Sequence, residues 1–289
     1  MNRPNRNALI GIFFVLLLGL GFAFAGSDGT LYSNGYFHPF AVGVLIAFAL
    51  QWLAFAPAYL KQTEKYFDLM GSVGYLATIY TTAYLAPPID SRSTLLIALV
   101  SIWAIRLGSF LFQRIHKAGK DGRFDKLKPS LPRFLGAWTL QGLWIVFTLA
   151  AALAAIVSEK RVAFDAYAVV GLAIWLAGFG IEAVADRQKS QFVANPKNKG
   201  RFIGTGLWAR SRHPNYFGEI VLWIGVAIIA LPTLQGWQWL TLSSPFFVLL
   251  LLTRISGIPL LEKRADKKWG GQEDYEAYKR DVPVLLPKL

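Results

Sequence analysis

Residues 134–157 read FLGAWTLQGLWIVFTLAAALAAIV, and no other stretch says as much about the architecture. The run contains no charged residue and exceeds the ~20 residues that a helix needs to cross a bilayer. Seven further apolar blocks flank it, and most approach that length: 8–25, 39–60, 69–88, 95–113, 166–185, 217–234 and 240–255. The sequence therefore predicts an all-α, polytopic membrane bundle of seven or eight transmembrane helices.

The first apolar block could be a signal peptide, because Arg3 and Arg6 precede it and Ala23-Phe24-Ala25 resembles a cleavage site. Its apolar run is longer than a typical signal core, which favours a retained helix. We expect residues 1–62 to form an N-terminal transmembrane hairpin and residues 63–289 to form the domain that carries function.

Basic residues are unevenly distributed over the polar segments. Of the 30 lysines and arginines, 26 fall at the N-terminus and in alternate polar segments, whereas three fall in the intervening short ones, which begin with 26–38. Such an asymmetry marks the cytoplasmic side. We expect an integral membrane protein, of the bacterial inner membrane, with both termini and the long polar segments cytoplasmic. Membrane lipids then account for the net charge of +13 without a nucleic-acid partner.

The composition argues against metal and thiol chemistry. The chain has no cysteine, which excludes disulfides and thiolate nucleophiles. Its three histidines, His38, His116 and His213, lack metal-ligand spacing, so no metal site is expected.

Ionisable residues within apolar helices are candidates for function because charge is expensive beside hydrocarbon. Arg106, Glu182 and Glu219 are such residues, and they could either pair within the bundle or line a polar cavity. The run 206–219, GLWARSRHPNYFGE, places two arginines, a histidine and a glutamate directly before an apolar stretch. Its arginines could touch anionic lipid or hold a phosphate, which guanidinium binds bidentately.

Two further segments carry alternative interpretations. Glu64 and Asp68 stand where the third apolar block begins, either as acids that favour the helix dipole or as an acid donor at a cavity mouth. Tyr80 on the same block is an aromatic that could pack or donate a proton. The mixed charges and aromatics of 262–278 predict one amphipathic helix, broken at Gly270-Gly271.

From about residue 64 onward the chain resembles the steroid 5α-reductase superfamily, in its bacterial DUF1295-type branch. The resemblance rests on EKYFDLMGS at 64–72, Trp103 to Arg106, DGRF at 121–124, Leu140-Gln-Gly142 and Asn215-x-x-Gly-Glu219. Trp103 stands where the steroid reductases carry a tyrosine.

The resemblance implies an enzyme that uses NADPH to saturate a C=C bond conjugated to a carbonyl in a steroid-like or other lipid substrate from the bilayer. It implies an acid at the carbonyl oxygen: Asp68, assisted by Glu64 or Tyr80, with Arg106 as neighbour. It also implies cytoplasmic cofactor-binding residues: Arg123, Glu182, Asp186, Arg201, Arg212, His213, Asn215, Tyr216 and Glu219.

A second resemblance leads to a different enzyme. The isoprenylcysteine carboxyl methyltransferases share the Arg-His-Pro-x-Tyr pattern at 212–216, and their C-terminal tail, which wraps S-adenosylmethionine, is similar to residues 261–287. The alternative is therefore a membrane methyltransferase dependent on S-adenosylmethionine. A non-enzymatic carrier or scaffold is the third interpretation, although the short outer segments offer few polar groups for a substrate path.

Overall fold

The computed structural model describes residues 3–29, 38–86 and 88–288. These residues form helices and connecting turns, with no β-strand among them. The α-helices are α1 (Arg3–Gly26), α2 (Pro39–Leu60), α3 (Phe67–Leu85), α4 (Ser91–Ala118), α5 (Leu131–Val157), α6 (Ala166–Ala194), α7 (Pro214–Ala230), α8 (Ser244–Leu250), α9 (Ile258–Trp269) and α10 (Glu273–Asp281).

Within the described residues, seven helical segments are long and apolar enough to cross a membrane. They are α1, α2, α4, α5, α6, and the segments Pro214–Thr233 and Gly236–Trp269, which extend α7 and join α8 to α9. The predicted all-α, polytopic membrane bundle is therefore confirmed. The chain is an integral membrane protein, while the sidedness of its termini and the membrane in which it resides stay predictions.

Helix α3 forms where the third apolar block was expected, yet it is not one of the seven. It buries the polar side chains of Tyr75, Thr78 and Thr82, and it packs against α2, α4 and α5. Tyr75 Oη lies 2.6 Å from Thr148 Oγ1 of α5, so this polar pair is satisfied inside the protein. A helix surrounded by other helices need not be as apolar as one that faces lipid.

The chain divides into two compact units, Met1–Tyr167 with Ala230–Ser244, and Ala168–Ile229 with Pro245–Leu289. Helices α1 and α2 belong to the same unit as α3 to α5, whereas the sequence predicted an N-terminal hairpin, residues 1–62, apart from the domain that carries function. That function resides in residues 63–289 stays a prediction. Most of the predicted loop 26–38 lies outside the described residues.

Helix α5 is the centre of the first unit. Every residue from Ile145 to Val157 is buried. Its small alanines let neighbouring helices approach closely, as is common in membrane bundles. The α1 helix packs along it, where the rings of Phe22 and Phe147 lie 4.0 Å apart.

Glycines bring α6 and α7 together in the second unit. A Cβ added to Gly178 would lie 2.5 Å from Leu222 N, and one added to Gly225 would lie 2.6 Å from Gly171 O. The glycines are seven residues apart on both helices, 171 and 178 on α6 and 218 and 225 on α7, so the two backbones meet along one stripe. No contact between these two helices was predicted from the sequence.

The amphipathic segment expected at 262–278 forms two helices, α9 and α10. The break falls at the predicted Gly270-Gly271, where Gly271 adopts a φ of +82° that only glycine reaches without strain.

Candidate functional site

A carboxylate that the sequence interpretation left without a role organises the second unit's polar cluster. Glu262 Oε1 of α9 lies 2.8 Å from His213 Nε2, and Glu262 Oε2 lies 3.0 Å from Arg212 Nη1. Pro214 begins α7 directly after His213, and proline suits a first helical turn because its missing N–H is not needed there. The loop residues Arg212 and His213 thus face a helix that lies about fifty residues further along the chain.

Backbone hydrogen bonds hold this loop against the segment after α10. Arg212 N donates to Pro283 O at 2.9 Å, and Ser211 Oγ donates to Leu285 O at 2.9 Å. His213 N in turn donates to Ser211 Oγ at 3.2 Å. The segment after α10 therefore fixes the backbone of Arg212 directly and that of His213 through Ser211, which is a favourable arrangement for a binding site.

A cavity of about 270 Å³ opens beside this cluster. Among the described residues, its charged lining comprises four cationic side chains and one carboxylate, Glu262; the cations are Lys189, Arg212, Arg264 and Lys268. A concave surface with an excess of positive charge attracts anions, and arginine offers paired donors to a phosphate or carboxylate.

Five aromatic side chains also line the cavity, and we refer to them as the aromatic wall: Phe202, Trp208, Trp269, Tyr275 and Tyr278. The ring of Phe202 lies 6.0, 5.3 and 5.2 Å from those of Trp269, Tyr275 and Tyr278, respectively. The wall joins α9 and α10 to the loop that precedes α7.

Burial determines the protonation of two residues in this cavity. It lowers the pKa of His213, against the opposing effect of the hydrogen bond to Glu262, so the imidazole favours its neutral form. The Tyr216 ring stacks on this imidazole at 5.7 Å. Burial also raises the pKa of Tyr278 to about 12. Its hydroxyl therefore stays protonated, and it donates to Trp208 O at 2.8 Å.

Of the predicted cofactor residues in this unit, Arg212 and His213 lie on the cavity wall. Asn215 Nδ2 donates to Asp186 Oδ1 at 3.2 Å, which links α7 to α6. Glu182 and Glu219 are buried on these helices and Arg201 is exposed, and none of the three is among the described lining residues. Glu262 and all five residues of the aromatic wall were missed as site residues, although the second resemblance had drawn attention to the tail that carries Glu262 and three of the five.

The first unit holds a separate polar cluster around Asp68. Arg114 Nη2 lies 3.8 Å from Asp68 Oδ2. Glu64 is buried, and it accepts hydrogen bonds from Asp121 N at 2.7 Å and Lys128 Nζ at 2.6 Å. Its contacts fasten the α4–α5 loop to the start of α3, which is an anchoring role.

Arg123 belongs to this first cluster. Its Nε donates to Asp121 Oδ2 at 2.6 Å, and its guanidinium lies 5.8 Å from the Phe124 ring centroid. Arg123 was predicted to contact a cofactor phosphate together with Arg201 and Arg212, and the structure places it in a different unit from those two.

The four predicted catalytic residues are spread along the helices. Tyr80 lies twelve residues after Asp68 on α3, a separation of ~18 Å at the usual helical rise. Its hydroxyl accepts a hydrogen bond from Ser101 Oγ at 3.3 Å. Arg106 lies eight residues, or ~12 Å, from Arg114 along α4. Tyr80 therefore cannot share one carbonyl oxygen with Asp68, and the arginines whose charges act on Asp68 are Arg123 and Arg114.

The described loops of this helical membrane protein form a cationic cavity lined by aromatic side chains, and such a cavity attracts anions. The chain belongs to the DUF1295 family of proteins of unknown function, a steroid 5α-reductase-like family whose sequence model matches residues 54–282. The predicted family is thus confirmed.

The chain is also similar to an uncharacterized protein of Schizosaccharomyces pombe. The two are 23% identical over 87% of this chain and 80% of that protein. No solved structure matches the chain.

Proposed function

We propose that this protein is an integral membrane reductase that uses NADPH to saturate a C=C bond conjugated to a carbonyl in a lipid substrate. The proposal combines membership of a steroid 5α-reductase-like family with the chemistry of the cavity. The observation that supports it most directly is that two donors of Arg212 have no hydrogen-bond partner within the described residues.

Arg212 is a buried cation with unused donors. Its side chain is 11% exposed, and within the described part of the chain its Nε and Nη1 have no hydrogen-bond partner. Nη1 lies near Glu262 but outside hydrogen-bond geometry. Buried donors without partners cost about 1–3 kcal/mol each, and a phosphate would satisfy one of them through a charge-assisted hydrogen bond. The residues present therefore fit a phosphate-bearing cofactor.

In this proposal Arg212 holds a phosphate at the inner end of the cavity, while Lys189, Arg264 and Lys268 hold negative charge nearer its mouth. NADPH, when bound, would supply a hydride to the substrate's β-carbon. The chain itself must then stabilise the charge that develops on the carbonyl oxygen. Asp68 is the proposed acid for that oxygen, held by the Arg114 guanidinium.

The methyltransferase alternative has an observation in its favour. Residues of the tail that resembles those enzymes, among them Trp269, Tyr275 and Tyr278, line the cavity. Aromatic faces attract a sulfonium cation. The four cationic side chains against a single described carboxylate oppose this alternative, because they repel a ligand of net positive charge and favour an anionic one.

Thermal-shift measurements on the detergent-solubilised protein separate the two candidates. NADPH should raise the Tm, and S-adenosylmethionine should not. Arg212→Gln should weaken NADPH binding at least tenfold, as for the loss of a charged hydrogen bond of about 1.5–3 kcal/mol. Arg210→Gln is the matched control, because Arg210 is exposed and its side chain is not among the described lining residues. Stabilisation by S-adenosylmethionine alone would overturn the proposal.

The chemical step has its own test once a substrate is identified. Asp68→Asn should leave NADPH affinity within twofold and reduce turnover at least tenfold, the lower range for a general acid. Unchanged turnover would remove Asp68 from the mechanism and leave the reductase proposal intact.

A further inference from the structure

We propose that the cavity takes only the adenosine phosphate half of the dinucleotide, with the base against the aromatic wall and a phosphate at Arg212. The inference rests on the proposed function, since it names the part of NADPH that this cavity binds. Three observations carry it: the size of the cavity, the way in which the aromatic residues are tied down, and the placement of cations beside the rings.

The size of the cavity limits its occupant. Its volume of about 270 Å³ lies just below the range of ~300–1,000 Å³ for pockets that bury a drug-sized ligand. One nucleotide is of that size, whereas a complete dinucleotide is about twice as large. The second nucleotide must therefore lie outside this cavity.

The polar groups of the aromatic wall are already engaged within the protein. Trp269 Nε1 donates to Gly200 O at 2.6 Å, and Tyr278 Oη donates to Trp208 O at 2.8 Å. Tyr275 Oη donates to Asp266 Oδ1 at 3.0 Å. Trp208 and Tyr275 are buried, so what the wall offers a ligand is the carbon surface of Phe202, Trp269 and Tyr278, whose rings are held in fixed positions. Such a surface binds a planar base by stacking, which contributes about 1–3 kcal/mol per base.

Two of the rings each have a lysine over one face. Lys268 Nζ lies 4.4 Å from the Trp269 ring centroid, and Lys189 Nζ lies 4.4 Å from that of Trp208. Arg212 adds the buried donors described above. Stacking surface next to positive charge matches a base that carries phosphates on its ribose. A nicotinamide ring, which is cationic when oxidised, is a poorer match to a wall bordered by lysines.

Isothermal titration with fragments of the cofactor tests the inference. The probes are adenosine 2′,5′-bisphosphate, nicotinamide mononucleotide and inorganic pyrophosphate, with NADPH alongside. Wild-type protein should bind the adenosine bisphosphate at least tenfold more tightly than nicotinamide mononucleotide. Phe202→Leu should weaken adenosine bisphosphate binding at least tenfold and leave pyrophosphate binding within twofold, because it removes a stacking face and no charge.

Phe192→Leu is the matched control, since Phe192 lies in the same unit and is not among the described lining residues. Should Phe202→Leu fail to fold, Trp269→Leu and Tyr278→Phe replace it. The first should weaken adenosine bisphosphate binding at least tenfold, and the second, which keeps the ring, should change it by less than threefold.

The outcomes separate the two proposals. If NADPH binds but Phe202→Leu behaves like Phe192→Leu, or nicotinamide mononucleotide binds as tightly as the adenosine bisphosphate, the inference is overturned and the reductase proposal stands. If neither NADPH nor the adenosine bisphosphate binds the wild type at millimolar concentration, both are overturned.

Discussion

Glu262 contacts His213 through one carboxylate oxygen, 2.8 Å from the imidazole Nε2, and directs its other oxygen toward Arg212. The same carboxylate thus pairs with the Arg212 guanidinium, to which the proposed anionic ligand would bind. If the proposed anionic ligand binds here, we expect Glu262 to stabilise the ligand-free cavity and to compete with that ligand.

Glu262→Gln should separate these two effects. The amide keeps a hydrogen bond to His213 but removes the negative charge beside Arg212. We expect the Tm of the ligand-free protein to fall, since a buried guanidinium loses its counter-charge, and the affinity for pyrophosphate to rise about fivefold, or ~1 kcal/mol. Weaker pyrophosphate binding would show that Glu262 orients the site for its ligand and does not compete with it.

Acid should destabilise the protein through His213. Burial holds the pKa of His213 below its ordinary value of 6.5, so below about pH 6.5 the unfolded chain binds a proton that the folded protein does not. Stability should therefore decrease as the pH falls through this value. The measurement compares the Tm at pH 7.5 and pH 5.5 for wild type and His213→Gln. An equal loss in both proteins would exclude His213 as the cause.

Gly178→Ala should disrupt the contact between α6 and α7. The added Cβ would meet the α7 backbone at Leu222 N, 2.5 Å away, and backbone atoms cannot rotate out of its way. A loss of about 1–3 kcal/mol is expected for such overpacking, visible as a lower Tm. Gly180→Ala on the same helix is the control, because its Cβ would meet nothing within 4 Å. Similar effects at both positions would argue against a close helix contact.

Glu64 and Lys128 should be energetically coupled. Removing Glu64 leaves Lys128 with Asp125 at 3.6 Å, and removing Lys128 leaves the buried Glu64 without a counter-charge in this pair, so Glu64→Gln and Lys128→Met should each cost about 2 kcal/mol. The double variant should cost less than the sum of the single ones, because the second change removes the unpaired charge that the first one leaves. Strict additivity of the Tm changes would mean that the pair contributes nothing as a pair.

Reporter fusions to the two ends should both indicate the cytoplasm. This result requires an even number of crossings, and hence that α3 crosses the membrane along with the seven more apolar segments. The polar contacts of α3 inside the first unit support this crossing. Opposite sidedness of the two ends would show that α3 or another segment does not span.

The helices could be predicted from the sequence because hydrocarbon imposes a length and a composition on each span. The bounds of α2 at Pro39 and Leu60 were predicted to the residue. The site was harder, because its members come from 189–213 and 261–278, and only tertiary packing shows that Glu262 meets His213. Motif spacing pointed to Arg212 and His213 but could not reveal their partner.

The predicted catalytic residues show a second limit of prediction from sequence. Asp68 and Tyr80 stand on one apolar helix, and their order along the chain left them as candidates for one site. The helical rise separates their backbones by ~18 Å, and residue types alone do not indicate this distance. The close approach of α6 and α7 was accessible from the seven-residue spacing of their glycines, a signal that hydropathy alone does not register.

The cavity is formed by two separate segments of the chain, and this has a consequence for biogenesis. Because 189–213 and 261–278 are separated by α7 and the segment that follows it, a nascent chain cannot assemble the cavity until those segments have been inserted into the bilayer. Retention on an immobilised ligand would consequently report completed membrane integration of this half of the chain, and it would reject partly inserted chains that contain 189–213 but have not yet brought 261–278 into place.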